Sequence, residues 1–233
     1  MFERFFNSVF HPRVNQPVLV NILVRTSKRP NYFETCMQSI YSQSYPAIRI
    51  LVSCDNEETF SYLKKYQGIE VVRVKPNTGP CEPLPDDYPY DSYRFPANLH
   101  LNALMDQVKD GFIMFLDDDD LLLHPGALKA IVSHISSKDD LLFWRVRFPG
   151  RDLPEDKFFG KEPVYAHISG IGFAFHSGYI PFATWDGWSG CDYRVASRLY
   201  RKVPRKKFID MTLTGLQRNY RHGGLGKQTD KTE

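Results

Sequence analysis

Four consecutive aspartates, residues 117–120, directly follow the apolar run FIMFL at 112–116. Four carboxylates in a row repel one another, and their close approach requires a cation. Oxygen donors of this kind suit hard ions such as Mg²⁺ or Mn²⁺. In extended backbone Asp117 and Asp119 project to the same side, as a two-point ligand would. A helix start near Pro125 needs only one acid as its cap, so the other three call for another reason. Two further strand-like runs end in chemistry-bearing residues: VNILV at 20–24 runs into Arg25-Thr26-Ser27-Lys28-Arg29-Pro30, and IRILVSC at 48–54 runs into Asp55-Asn56. In an open parallel sheet ligands bind beyond the carboxyl ends of the strands, which would put basic, hydroxyl and carboxylate groups on one edge.

The elements that must position these groups follow from apolar periodicity. Strands are predicted over 18–24, 48–54, 69–74, 112–116 and 141–146, and helices over 31–43, 59–67, 96–109 and 125–137. Asn31 with Glu34 has the spacing of a capping box for the first helix. Strands alternating with helices predict an α/β fold: a mostly parallel sheet flanked by helices. Residues 76–95, rich in Pro, Asp and Tyr, lack periodicity and read as an ordered functional loop. Asn98 and Asn102, four apart on a helix, either meet a ligand or fasten that loop. Residues 1–16 read as a Phe-rich N-terminal extension expected to pack on the body, residues 17–225 as one domain, and residues 226–233 as a loose tail. Membrane-surface contact through the Phe-rich segment rests on composition alone.

Composition narrows the classes. With 233 residues, 42% apolar and 24% charged, the chain is long enough for one sizeable core and unlike a disordered protein. It contains no apolar run long enough to span a bilayer and no secretory signal pattern. Cys36, Cys54, Cys81 and Cys191 are scattered. They read as reduced thiols of a cytoplasmic protein, not as a disulfide frame or zinc site. The net charge of +3 does not suggest nucleic-acid binding. It is unevenly placed, with nine basic residues against one acid over 198–227, and 21 against 26 elsewhere. Such a segment can meet phosphate groups.

Together the runs VNILVRTSKRP (20–30), LVSCD (51–55) and FIMFLDDDD (112–120) resemble glycosyltransferase family 2 on a GT-A fold. The resemblance covers about residues 17–225, and the aspartate run after its strand is the most specific part. It implies that Thr26 and Arg29 meet the nucleotide and that Asp55 accepts a hydrogen bond from its base. It also implies that Asp117 faces the ribose or the metal, that Asp119 binds the metal, and that Asp118 sits beside them on the nucleotide-sugar side, with Mn²⁺ or Mg²⁺ as cofactor. WDGWSGCDYRVASRL (185–199) is similar to the family's Glu-Asp motif with Cys191 in place of Glu, which makes Asp192 the base that deprotonates an acceptor hydroxyl. Asp186 is the fallback base. Trp185 and Trp188 offer either a sugar-stacking surface or core plugs. SGIGFAFH (169–176) is similar to the family's acceptor-side strand, with His176 structural. QRNYRHGG (217–224) resembles the C-terminal element in which His222 completes the metal shell and Arg221 meets the diphosphate.

The expectation is therefore an inverting, metal-dependent glycosyltransferase with a nucleotide-diphosphate sugar as donor and a glycan or glycoconjugate hydroxyl as acceptor. A nucleotidyltransferase of similar fold is the first alternative, although the loop after the first strand lacks the glycines of a phosphate cradle. A non-catalytic sugar-nucleotide or carbohydrate-binding module is the second.

Overall fold

β1 (Val20–Arg25) is buried at all six positions, as a strand with neighbours on both edges and helices on both faces must be. The computed structural model describes residues 17–75 and 93–217. After β1 come α1 (Pro30–Tyr41), β2 (Ile48–Cys54), α2 (Glu57–Leu63), β3 (Ile69–Arg73), α3 (Leu99–Met105), β4 (Phe112–Asp117), β5 (Asp120–Leu122) and α4 (Ala127–Ser133). β6 (Asp140–Phe148), β7 (Arg151–Leu153), β8 (Phe173–His176), α5 (Cys191–Lys202) and β9 (Arg205–Leu216) complete the order. The strands form one sheet in the order β3-β2-β1-β4-β8-β6-β9-β5, with β7 paired to β6. The first four are mutually parallel, β8 runs against both β4 and β6, and β9 is parallel to β6.

Two apolar layers enclose the sheet. One packs Phe33, Met37 and Ile40 of α1, Leu63 of α2 and Leu128 and Ile131 of α4 on alternate residues of β1, β2 and β4. The other packs Leu101, Leu104 and Met105 of α3 and Val195 and Leu199 of α5 on the opposite face. Cys36, Cys54 and Cys191 are free and buried in these layers. Among the described residues no helix is long and apolar enough to cross a membrane.

Local expectations were met unevenly. α1 begins at Pro30 with Arg29 at its N-cap and no side-chain cap bond, so there is no capping box. Glu34 instead accepts from the hydroxyl of Tyr66 at 2.5 Å and from Gln38 Nε2 at 3.2 Å. The helix expected over 96–109 is a 3₁₀ turn at Pro96–Asn98 followed by α3, which stops at Met105. It must stop so that the chain can turn into β4 at Gly111. That residue has φ +94°, and a Cβ there would lie 2.6 Å from the Leu19 carbonyl. β9 lies in sequence that reads only as basic. It pairs with β6 over most of its length.

At this β6–β9 seam Trp144 Nε1 donates to Thr214 Oγ1 at 2.9 Å, and the same hydroxyl donates to the Ile171 carbonyl at 2.8 Å. All three residues are buried. Thr214→Val keeps the shape but strands a donor and an acceptor. Urea titration of this variant should show a loss of about 2–4 kcal/mol.

Candidate active site

Registration of β1 between β2 and β4 places Arg25 opposite Asp117 on one side and Ser53 on the other. The three carboxyl ends therefore share one edge, and the aspartate run lies at the end of β4, directly beside the end of β1. The run is not extended. Residues 118 and 119 turn and β5 starts at Asp120, whose Oδ2 accepts from the Asp117 amide at 2.8 Å. The turn, rather than a pleat, brings Asp117, Asp119 and Asp120 together, with one carboxylate oxygen of each within 4.8 Å of the others. It sends Asp118 the other way.

Two arginines from the end of β1 supply much of the needed countercharge. Arg25 pairs with Asp117 through Nε and through Nη2, the latter at 2.7 Å. Arg29 pairs with Asp118 and reaches Asp119 Oδ2 at 3.0 Å. Both guanidinium groups are buried. Burial works against their charge, but the facing carboxylates outweigh it and hold both above the ordinary arginine range. Asp120 is buried as well, and loss of solvent together with Asp117 and Asp119 pushes its carboxyl well up. Fully ionised, the four aspartates would exceed the two arginines by two charges, and the upward push on Asp120 marks this excess as unmet by the protein itself. The all-oxygen donor set and this residual charge fit one divalent cation, which Asp119, Asp117 and Asp120 would hold.

Residues expected to meet a nucleotide partly meet each other instead. Asp118 is fully enclosed between Arg29 and the Thr26 hydroxyl, which donates at 2.8 Å, so it presents no oxygen to a ligand. Thr26 also pairs with the Tyr62 hydroxyl at 2.8 Å. Asp55 ends β2 half-buried and accepts from Asn56 Nδ2 at 2.6 Å and Ser27 Oγ at 3.2 Å. Arg221 and His222 lie outside the described residues.

A cleft of about 390 Å³ opens in front of the aspartates, within the size range of small-molecule sites. Arg25, Arg29, Asp117, Asp119 and Asp120 line it from the strand ends, and Ser169, Gly170, Trp185 and Asp192 line it from the 169–192 stretch. Asp192 stands in the first turn of α5. Its Oδ1 accepts from the Tyr193 amide at 2.8 Å. Desolvation pushes its carboxyl up to about 6, with the Tyr193 amide and the Arg25 charge opposing. A carboxylate tuned toward neutral pH and facing a cleft has the properties of a general base. The turn into α5 needs Gly190, with φ +69° and no room for a Cβ against the Tyr165 ring.

The fallback base, Asp186, is engaged in a two-pronged pair with Arg194 and accepts from the Trp188 amide. Cys191 accepts from the Asp186 amide through Sγ at 3.0 Å. Trp185 is a core plug, edge-on to Phe115 at 5.1 Å. His176 pairs with Asp110 at 3.1 Å, in a structural role. Among the described residues Asn98 and Asn102 fasten the loop ahead of α5: their Nδ2 atoms donate to the Trp188 and Trp185 carbonyls, both at 2.8 Å, while residues 76–92 of the loop named above lie outside the described residues. Sequence reasoning assigned Arg25 no role and left Asp120 out of the ligand set. A charged residue closing an otherwise apolar strand was the available signal for Arg25.

No family model matches the chain, and no curated protein matches it in sequence. Solved structures do. Staphylococcus aureus TarS 1–349 in complex with UDP-GlcNAc superposes with a TM-score of 0.66 at 16% identity, over 92% of this chain and 61% of that one. A mannosyltransferase from Pyrobaculum calidifontis, in complex with GDP-Man and Mn²⁺, superposes at 0.61 with 12% identity, over 91% and 59%. The chain has the GT-A glycosyltransferase fold. It spans about three fifths of the length of these GT-A neighbours. Within this fold the Arg29–Asp118 pair is the buried anchor of the aspartate turn. Arg29→Met should lower stability by about 3–5 kcal/mol, since Asp118 would be left buried without its counter-ion and must either bear an uncompensated charge or take up a proton. Adding Asp118→Asn should recover part of that loss in chemical denaturation.

Proposed function

We propose that this chain is an inverting, metal-dependent glycosyltransferase that moves a sugar from a nucleotide-diphosphate donor to a hydroxyl of a glycan or glycoconjugate. The observation that carries the reading is the arrangement of the cleft: a carboxylate triad at the strand ends and Asp192, tuned toward neutrality, lining the same cleft. The GT-A neighbours, with UDP-GlcNAc in one and GDP-Man with Mn²⁺ in the other, support a sugar-nucleotide donor.

Asp119, with Asp117 and Asp120, would hold Mn²⁺ or Mg²⁺, which when bound supplies countercharge to the leaving diphosphate. Arg25 and Arg29 keep the carboxylates together while the donor is absent. Asp55, Thr26 and Arg29 are assigned to the nucleotide end, Thr26 and Arg29 chiefly by shaping the loop after β1, and Arg221 and His222 to the diphosphate and metal. Asp192 removes the proton of the acceptor hydroxyl. As that oxygen bonds to the anomeric carbon, the bond from carbon to the diphosphate oxygen breaks and the sugar's configuration inverts.

The test is turnover of UDP-GlcNAc and GDP-mannose with Mn²⁺, with water or a glycan as acceptor, in the native protein and in Asp192→Asn. Turnover should rise with pH through an apparent pKa of about 6, because the base must be ionised, and it should fall about 10²–10⁴-fold in the variant. Stability carries the opposite sign. A carboxyl raised in the folded state contributes stability at low pH that is lost as pH rises through about 6. Asp192→Asn should therefore melt no lower than the native protein at pH 7.5. Unchanged turnover in this variant would move the base elsewhere.

A further inference from the structure

Arg25 does more than neutralise Asp117. The residue is 7% exposed, and its guanidinium has two faces of use. Nε and Nη2 take Asp117, while Nη1 donates to Asn98 Oδ1 at 2.6 Å. Asn98 passes the contact on, since its Nδ2 donates to the Trp188 carbonyl. The guanidinium also lies over the Phe95 ring, 5.2 Å from its centroid.

Phe95 and Asn98 belong to a segment strapped to the loop that leads into α5. The Phe95 amide donates to the Gly187 carbonyl at 2.7 Å, and the Ser189 amide donates to the Tyr93 carbonyl at 2.9 Å. Residues 93–98 and 187–189 thus form a clasp, and Arg25 touches it at both Phe95 and Asn98. Three residues after Ser189 stands Asp192. One buried side chain therefore joins the Asp117 carboxylate to the backbone that leads to Asp192.

We propose that Arg25 is the positioning residue that sets the strand-end lining of the cleft and the 169–192 lining relative to each other, fixing Asp117 through one edge of its guanidinium and the 187–189 loop, through Asn98 and Phe95, by the other. The inference rests on the glycosyltransferase reading for its catalytic consequence but not for its structural one. Lysine preserves the charge and loses the fork, so it cannot hold Asp117 and Asn98 in the same plane. A misplacement of about 1 Å at a reacting group is worth up to about 10² in rate.

The experiment combines hydrogen exchange with kinetics on Arg25→Lys, Asn98→Leu and the double variant, each first checked for a cooperative melt. Arg25→Lys should speed exchange of the Ser189 amide by about tenfold or more while leaving β6 amides unchanged, since only the clasp is released. With whichever of UDP-GlcNAc and GDP-mannose the native protein hydrolyses, Asn98→Leu should lower kcat by about 30–100-fold and leave the donor KM within about threefold. The double variant should be little worse than Arg25→Lys alone, because both substitutions cut one relay. Native-like exchange at Ser189 in Arg25→Lys overturns the proposal whatever the activity, as do fully additive losses in the double variant. A native protein that hydrolyses neither donor sinks the transferase reading instead, and the exchange result still decides whether Arg25 holds the loop.

Discussion

Arg25 at the end of β1 and Arg29 at the start of α1 pair with three of the four aspartates at the end of β4, and most of the site depends on that exchange of charge. Without Arg25 and Arg29 the turn at 117–120 would concentrate four carboxylates in a partly dry environment, where they repel or protonate. With them, Asp118 is buried as an ion pair, Asp117 and Asp119 stay beside the cleft, and Asp120 closes the turn on the Asp117 amide. The residual negative charge is then placed where a cation and a diphosphate can be received. Parallel registration of β1 and β4 makes this possible, because it sets Arg25 directly opposite Asp117.

The cleft is asymmetric in how it is built. Its aspartate side rests on strand ends and ion pairs. Its other side is a loop held by side-chain amides: Asn102 grips Trp185 at both its amide and its carbonyl, Asn98 grips Trp188, and Arg194 grips Asp186. Such a loop needs many small attachments to hold Asp192 in place, which accounts for Asn98 at the start of α3 and for Asn102 inside it, where better helix formers are otherwise favoured. The apolar end of the cleft, with Phe148, Leu153 and Ile168 beside Arg151, offers a surface of different character from the aspartate wall.

Much of this was legible in the sequence because the buried parallel strands β1, β2 and β4 are mostly apolar and chemistry-bearing residues gather just past their ends. β2 was bounded at both ends from its pattern, and the edge carrying Asp55 and Asp117–Asp120 followed from strand order. Three things were not legible. β9 hides in a basic stretch, since one of its faces meets solvent and its pattern is masked by lysines. The convergence of Asp117, Asp119 and Asp120 depends on a tight turn that alternation alone cannot reveal. Pairings such as Arg25 with Asn98 join residues 73 apart, and one chain read in order carries no trace of them. The Asn31–Glu34 spacing misled because Pro30 had already set the helix start.

The most direct measurement is calorimetric titration of the native protein and of Asp119→Ala with UDP and with GDP, each with and without Mn²⁺. The account predicts that one nucleotide binds the native protein in the presence of Mn²⁺, with one site per chain, that omission of the metal removes most of the affinity, and that Asp119→Ala does the same. Equal affinity with and without Mn²⁺, or undiminished Mn²⁺-dependent binding in Asp119→Ala, would contradict the placement of the metal and the diphosphate at the aspartate turn.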